Sequence, residues 1–365
     1  MRITNIDCQL LHLKPKRPRA SASEEKAGRQ SHIVVLLVQL DTNAGLRGLG
    51  FAYALQSSGR ALHALAVDDL APLLLGEDAR DHERLAVKVY HRLQTIGRRG
   101  LVPQAYSAFD VALWDLKGKA ANMPLHKLLG GARSSSEVYG SDSAWLYMSI
   151  EEILEASRPY LAQGIGIKVK VGADAQEDFD RLHRLRDVLG DDAWIAVDAN
   201  QRYDYATALA MGLFFEDDIG VAWYEEPISC EDVEGHARLA DRLDIPIAAG
   251  EMLFSRDEFQ SYLSQAALDV VQPDVTRLGG ITGFLKVAAV CEQYARPVAP
   301  HLLPEISVHL ACGLPQVTIV EYMPWLYPLF VHPPHLAEGR IHPPPGPGLG
   351  LELDMDAVAR FKVTV

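Results

Sequence analysis

Between Ile195 and Glu251 three short apolar runs each end on an acid: Ile195-Ala-Val-Asp198, Val221-Ala-Trp-Tyr-Glu225 and Ile247-Ala-Ala-Gly-Glu251. The acids stand about 26 residues apart, room for one strand, one helix and their loops. Carboxylates repeated at strand ends with this interval converge when parallel strands close into a ring, whose C-terminal face gathers side chains from several strands. Helix N-caps are the plainer alternative, because Asp and Asn favour that position. That alternative explains one such acid readily and three in phase poorly. Three hard oxygen ligands without Cys or His suit Mg²⁺. Asp198, Glu225 and Glu251 are therefore the candidate metal ligands.

Outward from this stretch the same texture continues. Apolar runs that read as strands end near Ser141, Lys170, Asp198, Glu225, Glu251, Asp274, His301 and Glu321, with amphipathic helices between them. The helix Gln176–Leu189 carries Phe179, Leu182, Leu185 and Leu189 on one face, and another begins after Gly279-Gly280. Eight strands with right-handed crossovers predict an α/β, TIM-like barrel over residues 131–325. Residues 1–130 read differently. Strands at Ile33–Leu40 and Gly48–Tyr53 precede helices at 61–75, 81–93 and 103–118, an α+β domain. The Pro- and Gly-rich tail, 326–365, is expected to leave the barrel and return to that first domain.

A chain of 365 residues accommodates one barrel and one smaller domain. A formal charge of −13 argues against nucleic acid or an anionic membrane as partner, while leaving small anions open. Cys8, Cys230, Cys291 and Cys312 are too scattered for a disulfide framework or a zinc site. Gln9–Leu13 is too short for the apolar part of a signal peptide, and no apolar run has the length of a membrane span. The expected location is cytoplasmic. Glu234-Gly-His236 lacks the histidine pair of a zinc protease, and Gly279-Gly280 lacks the rest of a dinucleotide fingerprint.

Lys168 and Lys170 alternate with Ile167, Val169 and Val171, so both lysines face one side, toward the barrel interior. Two neighbouring ammonium groups favour deprotonation of one, a route to a basic amine near neutral pH. Solvent-facing lysines on an edge strand are the alternative; the flanking apolar residues fit it badly, since they pack under helices. Asp274 and His301 end the two strands after the acids, and a carboxylate that orients an imidazole makes an acid/base dyad. Glu305 follows in Leu302-Leu-Pro-Glu305. If burial keeps it protonated it donates to a substrate carboxylate; otherwise it is an acid favoured by a helix N-terminus.

Taken in order, Lys168-Val-Lys170, Asp198-Ala-Asn200, Glu225-Glu-Pro227, Gly250-Glu251, Gln272-Pro-Asp274, Gly279-Gly-Ile-Thr-Gly283, His301 and Glu305 resemble the enolase superfamily, and within it the mandelate racemase group. Ala108–Lys119 and Leu128-Leu-Gly-Gly131 resemble the signature that precedes the barrel in that family. The resemblance implies a capping domain, built from the N-terminal region and the tail, on a modified (β/α)7β barrel. It implies Mg²⁺ on Asp198, Glu225 and Glu251, with Lys170 and the His301–Asp274 dyad on opposite substrate faces. Lys168 would then neutralise the substrate carboxylate and depress the Lys170 pKa. A Lys or His base beside Mg²⁺ is the general pattern of this superfamily.

The shared chemistry is loss of a proton α to a carboxylate, with charge growing on the carboxylate oxygens. Dehydration follows when a β-hydroxyl is present, and racemisation or epimerisation when it is not. The polar, cationic stretch Lys14–Ser31 corresponds to a capping loop and suits a polyhydroxy acid or diacid better than an aryl group. An acid-sugar dehydratase resembling the talarate and galactarate enzymes is thus expected, ahead of a 2-hydroxy-acid racemase or epimerase. A non-catalytic binding protein on the same fold is the remote alternative, disfavoured by the complete residue set. Cycloisomerase chemistry is disfavoured by the dyad. Asn200, Ser141, Lys16, Arg17, Arg29 and Tyr53 are the substrate-contact candidates, and a homo-oligomer is expected.

Overall fold

Three antiparallel strands open the chain in the order β1 (Ile3–Leu13), β2 (Ile33–Thr42), β3 (Arg47–Leu55). The structure, a computed structural model, describes residues 1–17, 32–55 and 58–364. Helix α1 (Gly59–Ala64) continues through a π-helical turn, Leu65–Leu70, into α2 (Ala71–Leu74), the helix expected over 61–75. Then come α3 (His82–Leu93), α4 (Leu101–Ala120) and the short α5 (Leu125–Leu128).

Alternation along β2 gives the meander two apolar faces. Val34, Leu36 and Val38 pack with Ala105, Ala108 and Ala112 of α4, whereas Val35 and Leu37 belong to the core shared with the barrel. The small residues of α4 let it lie directly on β3. A Cβ on Gly50 would stand 1.9 Å from the Ala108 carbonyl, so only glycine permits the contact. Asp115 fixes the same junction by accepting from the Leu49 and Leu349 amides, both at 2.8 Å, and from Lys119.

Residues from Ser136 onward close a barrel. Its strands are β4 (Ser136–Gly140), β5 (Gly166–Lys170), β6 (Ile195–Asp198), β7 (Tyr224–Glu225), β8 (Ile247–Ala249) and β9 (Val270–Val271), each parallel to the next. The seventh position is only a set of parallel bridges, Val271 to Val298, Asp274 to His301 and Val298 to Val317. Pro297 and Pro300 flank it and have no amide hydrogen for a ladder. β10 (Ile319–Tyr322) then pairs in parallel with β4 and shuts the ring.

The helices that follow the first seven strand positions are α6 (Ile150–Leu161), α7 (Ala175–Leu189), α8 (Tyr205–Phe214), α9 (Val233–Arg242), α10 (Arg256–Ser264), α11 (Ile281–Gln293) and α12 (Pro304–Gly313). This is a (β/α)7β barrel under a capping domain. Its base is plugged by Tyr139, Trp223 and the small residues Ala196, Ala248 and Ala299. On α7, Leu182 and Leu185 are buried as expected; Phe179 is 37% exposed and stacks on Phe214 instead of entering the core.

The tail does two things. Its hairpin β11 (His335–Ala337) and β12 (Arg340–His342) adds antiparallel to β4. It then returns to the capping domain, where the Val363 amide donates to the Leu10 carbonyl at 2.8 Å and the Leu125 amide donates to that of Gly348 at 2.7 Å. Helix α4 meets the barrel through Asp110, which caps α11 by accepting from the Thr282 amide and hydroxyl at 2.9 and 2.6 Å. Among the described residues no helix is long and apolar enough to cross a membrane.

Candidate active site

The C-terminal strand ends surround a cavity of about 580 Å³ lined by Lys170, Asn200, Glu251, Arg277, His301 and Glu321, among others. Asp198 and Glu225 end β6 and β7 beneath it, and Glu251 follows β8. Gly250 turns the chain there at φ +138°, and a Cβ on it would strike Phe259 at 2.8 Å; this turn swings Glu251 inward. Ligand atoms from Asp198, Glu225 and Glu251 lie within 4.8 Å of one another, close enough to share one cation. Asp198, Glu225, Glu226, Glu251, Asp274 and Glu321 outnumber the basic groups Lys168, Lys170 and Arg277 packed among them. That surplus of buried carboxyl groups, oxygen donors alone, fits Mg²⁺.

The two lysines of β5 point inward, with Ile167, Val169 and Val171 outward in the core beneath the helices. They are not equivalent. Lys170 reaches the cavity and donates to Asp198 Oδ2. Lys168 is buried, with Nζ 2.6 Å from Glu225, 2.8 Å from Glu321 and 3.3 Å from Asp198. Burial opposes its charge, yet Glu225 and Glu321 together hold its pKa well above the ordinary lysine value. The structure thus ties Lys168 to carboxylates, where a contact with the substrate carboxylate was expected. Burial raises Asp198 as well, but Lys170 and Lys168 pull it below the usual range; Glu225 is pushed up to about 8 by burial and the Asp198 charge.

His301 Nδ1 is 2.7 Å from Asp274 Oδ2, and Nε2 is 3.1 Å from Glu251. Burial disfavours the imidazolium, but Glu251 and Asp274 outweigh it and raise the His301 pKa. Asp274 is fully buried; the His301 hydrogen bond and Arg277 nonetheless keep it below the usual carboxylate range. Tyr53, expected to contact substrate, is buried in β3, its hydroxyl 2.5 Å from Asp274 Oδ2. It touches the dyad and does not line the cavity.

Glu305 meets the expected protonation, but it does not line the cavity. It is the second residue of α12, fully buried, away from the cavity lining and with both oxygens lacking a hydrogen-bond partner; burial pushes it up to about 8. Glu321, at the end of β10, does reach the cavity. Burial would raise it, but Lys168 and His301 bring it down to about 2, and it accepts from the Leu302 amide at 2.8 Å. Its signal was present in the sequence as the eighth strand end, in phase with the other seven. Glu226 and Arg277, which also line the cavity, left no comparable signal.

Of the substrate-contact candidates, Asn200 lines the cavity, with its amide 2.8 Å from Asp198. Ser141 is buried beside Glu321, outside the lining. Arg17 turns to Asp142, at 3.3 Å, and to the Ala156 carbonyl, at 2.9 Å, so its guanidinium is held against the barrel. Lys16 is exposed, and Arg29 lies outside the described residues, as do 18–31 generally.

Two family models match the chain: the mandelate racemase / muconate lactonizing enzyme N-terminal domain over residues 6–130, and the enolase C-terminal domain-like model over 153–357. The L-talarate/galactarate dehydratase of Salmonella typhimurium is 38% identical over 332 residues, covering 90% of this chain and 83% of that one. The L-talarate dehydratase of Polaromonas, solved with Mg and L-glucarate, superposes with a TM-score of 0.92 at 39% identity, covering 100% of this chain and 98% of its own. A racemase from Streptomyces coelicolor with bound magnesium superposes with a TM-score of 0.93 at 31% identity, covering 99% and 100%.

Proposed function

The chain belongs to the mandelate racemase/muconate lactonizing enzyme family of the enolase superfamily, and from that membership we propose that it dehydrates an acid sugar to a 2-keto-3-deoxy acid. The observation that carries this reading is one cavity faced by Lys170 and by His301, with the acidic triad between them in the strand order. Relatives named for talarate and galactarate make a hexaric diacid the first substrate to test.

Asp198, Glu225 and Glu251 would hold Mg²⁺, which would supply positive charge to the substrate carboxylate. The residues do the rest. Lys170 or His301, whichever faces the α-hydrogen, takes that proton, and the C–H electron pair becomes the double bond of an enediolate. Glu321 and the lysines set the charge around the substrate carboxylate end. His301, its Nδ1–H donating to Asp274, has Nε2 as the atom that gives a proton. That proton goes to the β-hydroxyl as the β C–O bond breaks; water leaves, and the enol becomes the keto acid. Asn200 contacts the substrate at the cavity rim, and Lys16 and Arg29 remain candidates for its distal end.

Incubating mono- and diacid sugars with the enzyme and Mg²⁺, and assaying 2-keto acid, tests the reading. Chelator-sensitive release from an acid sugar supports it; rapid racemisation of an aryl hydroxy acid with no keto acid would replace it. The second reading, a racemase or epimerase, is favoured by Trp145 and Trp325, which stack at 15° on the cavity wall and would accept an aryl ring. We also propose a cytoplasmic homo-oligomer, supported by four unpaired cysteines and by exposed Val87, Tyr90 and Ile96 on the capping domain. Sedimentation checks the oligomer.

A further inference from the structure

His301 occupies the weakest strand position of the barrel. Lys170 sits in a ladder, its register partner being Asp198, whereas His301 is held in the sheet by a single bridge to Asp274. Directly after it the chain turns through two residues with positive φ, Leu302 at +53° and Leu303 at +44°. A side chain at such a position depends on its own contacts for orientation.

Nε2 lies 3.1 Å from Glu251, and on the Nδ1 side the contacts converge on Asp274. Oδ1 accepts from the Thr276 amide at 2.7 Å, the Thr276 hydroxyl at 2.5 Å and the Arg277 amide at 3.1 Å. Oδ2 accepts from His301 Nδ1 at 2.7 Å and from the Tyr53 hydroxyl at 2.5 Å. The same hydroxyl is 3.3 Å from His301 Nδ1. Because Nδ1–H is already given to Asp274, the tyrosine proton goes to Oδ2, and the phenolic oxygen is left as a second acceptor beside Nδ1–H. Among the described residues Tyr53 is the only one from residues 1–130 that bonds the dyad. Its strand is itself clamped by the Leu49 amide on Asp115 and by the close passage of α4 over Gly50.

We propose that Tyr53 is a positioning residue of the acid/base dyad, through which the capping domain sets the orientation of the His301 imidazole. Burial and the Asp274 charge keep the phenol protonated, so the donor is permanent. The consequence is specific. Chemistry that uses His301 depends on the Tyr53 hydroxyl, and chemistry that uses only Lys170 does not.

The inference rests on the two-base reading, and the test separates the two. Mg²⁺-loaded wild type, Tyr53→Phe, His301→Asn and Lys170→Ala are compared for dehydration and for solvent deuterium exchange at the α-carbon. Diastereomeric acid sugars present that hydrogen to one base or the other. Tyr53→Phe keeps the ring and its packing. It should lower kcat and His301-face exchange about 10- to 100-fold, the usual cost of losing an orienting partner, with KM and Lys170-face exchange changed less than about twofold. Should Phe fold poorly, Tyr53→Met also lacks the hydroxyl and fills the space flexibly. Unchanged His301-face exchange in Tyr53→Phe, where His301→Asn abolishes it, overturns the inference alone. Equal loss on both faces overturns it too, since a merely structural role predicts that. If His301→Asn spares exchange on its own face, the two-base reading falls and the inference with it.

Discussion

Glu305 and Glu321 are the same residue type, sixteen positions apart and both almost fully buried, yet they live in opposite chemical states. Glu305 lies in α12 with no partner for either oxygen, and burial alone lifts it to about 8. Glu321 lies at the barrel mouth, where burial is outweighed by Lys168 and His301 and the group falls to about 2. Burial alone therefore does not set the charge state of a glutamate. What separates the two is an opening to the cavity and a set of charged partners that compensate the desolvation.

The sharpest way to break this contrast is to neutralise each glutamate in turn. Glu321→Gln removes a cavity charge and one of the three carboxylates on Lys168, so kcat should fall about 10²- to 10³-fold, in the range seen for lost electrostatic groups at reacting centres. Glu305→Gln should leave kcat within about threefold, because Glu305 does not line the cavity. Initial rates of keto-acid formation check both. Equal losses would erase the distinction.

Stability should separate them next, and through Glu305. Its folded pKa of about 8 lies above the ordinary glutamate value of 4.5, so the folded chain binds the extra proton between those limits. Stability from this group is fully present below about pH 4.5 and is lost as pH rises through about 8. Wild type should therefore lose stability relative to Glu305→Gln across that window, by at most about 1.4 kcal/mol per pH unit. Urea unfolding at pH 5 and pH 9 reads the difference.

Two smaller effects compare the capping domain with the barrel. Gly50→Ala drives a Cβ into the Ala108 carbonyl, which should destabilise the chain by about 1–3 kcal/mol, measured by thermal or urea unfolding. Arg17→Ala removes a partly buried ion pair with Asp142 worth about 0.5–1 kcal/mol, and should raise KM a few-fold with kcat nearly unchanged.

Much of the barrel is legible in the sequence, because parallel strands buried on both sides leave apolar runs and their polar ends are in phase. The acids at 198, 225 and 251, the lysines on one side of β5, and the nearness of Asp274 to His301 all follow from that phase. What the sequence hides is which partner lies across a gap. Alternation puts Tyr53 on the barrel-facing side of β3 with Phe51, but nothing local says that Asp274 stands opposite. Lys168 reads as free for substrate until Glu225 and Glu321 are seen around it. The family motif drew attention to Glu305 where the strand phase pointed to Glu321. Arg17 reads as a lid cation because Asp142, its partner, is 125 residues away. The seventh strand was expected to resemble its neighbours, yet Pro297 and Pro300 reduce it to bridges.

The central claim is that Lys170 and the His301 dyad work as two separate bases on an acid sugar beside Mg²⁺. Its most direct test is the proton NMR spectrum of a hexaric acid incubated in D₂O with Mg²⁺-loaded His301→Asn. The account predicts deuterium at the α-carbon of the isomer that faces Lys170, with no 2-keto-3-deoxy acid formed. Keto acid appearing at the wild-type rate would contradict it.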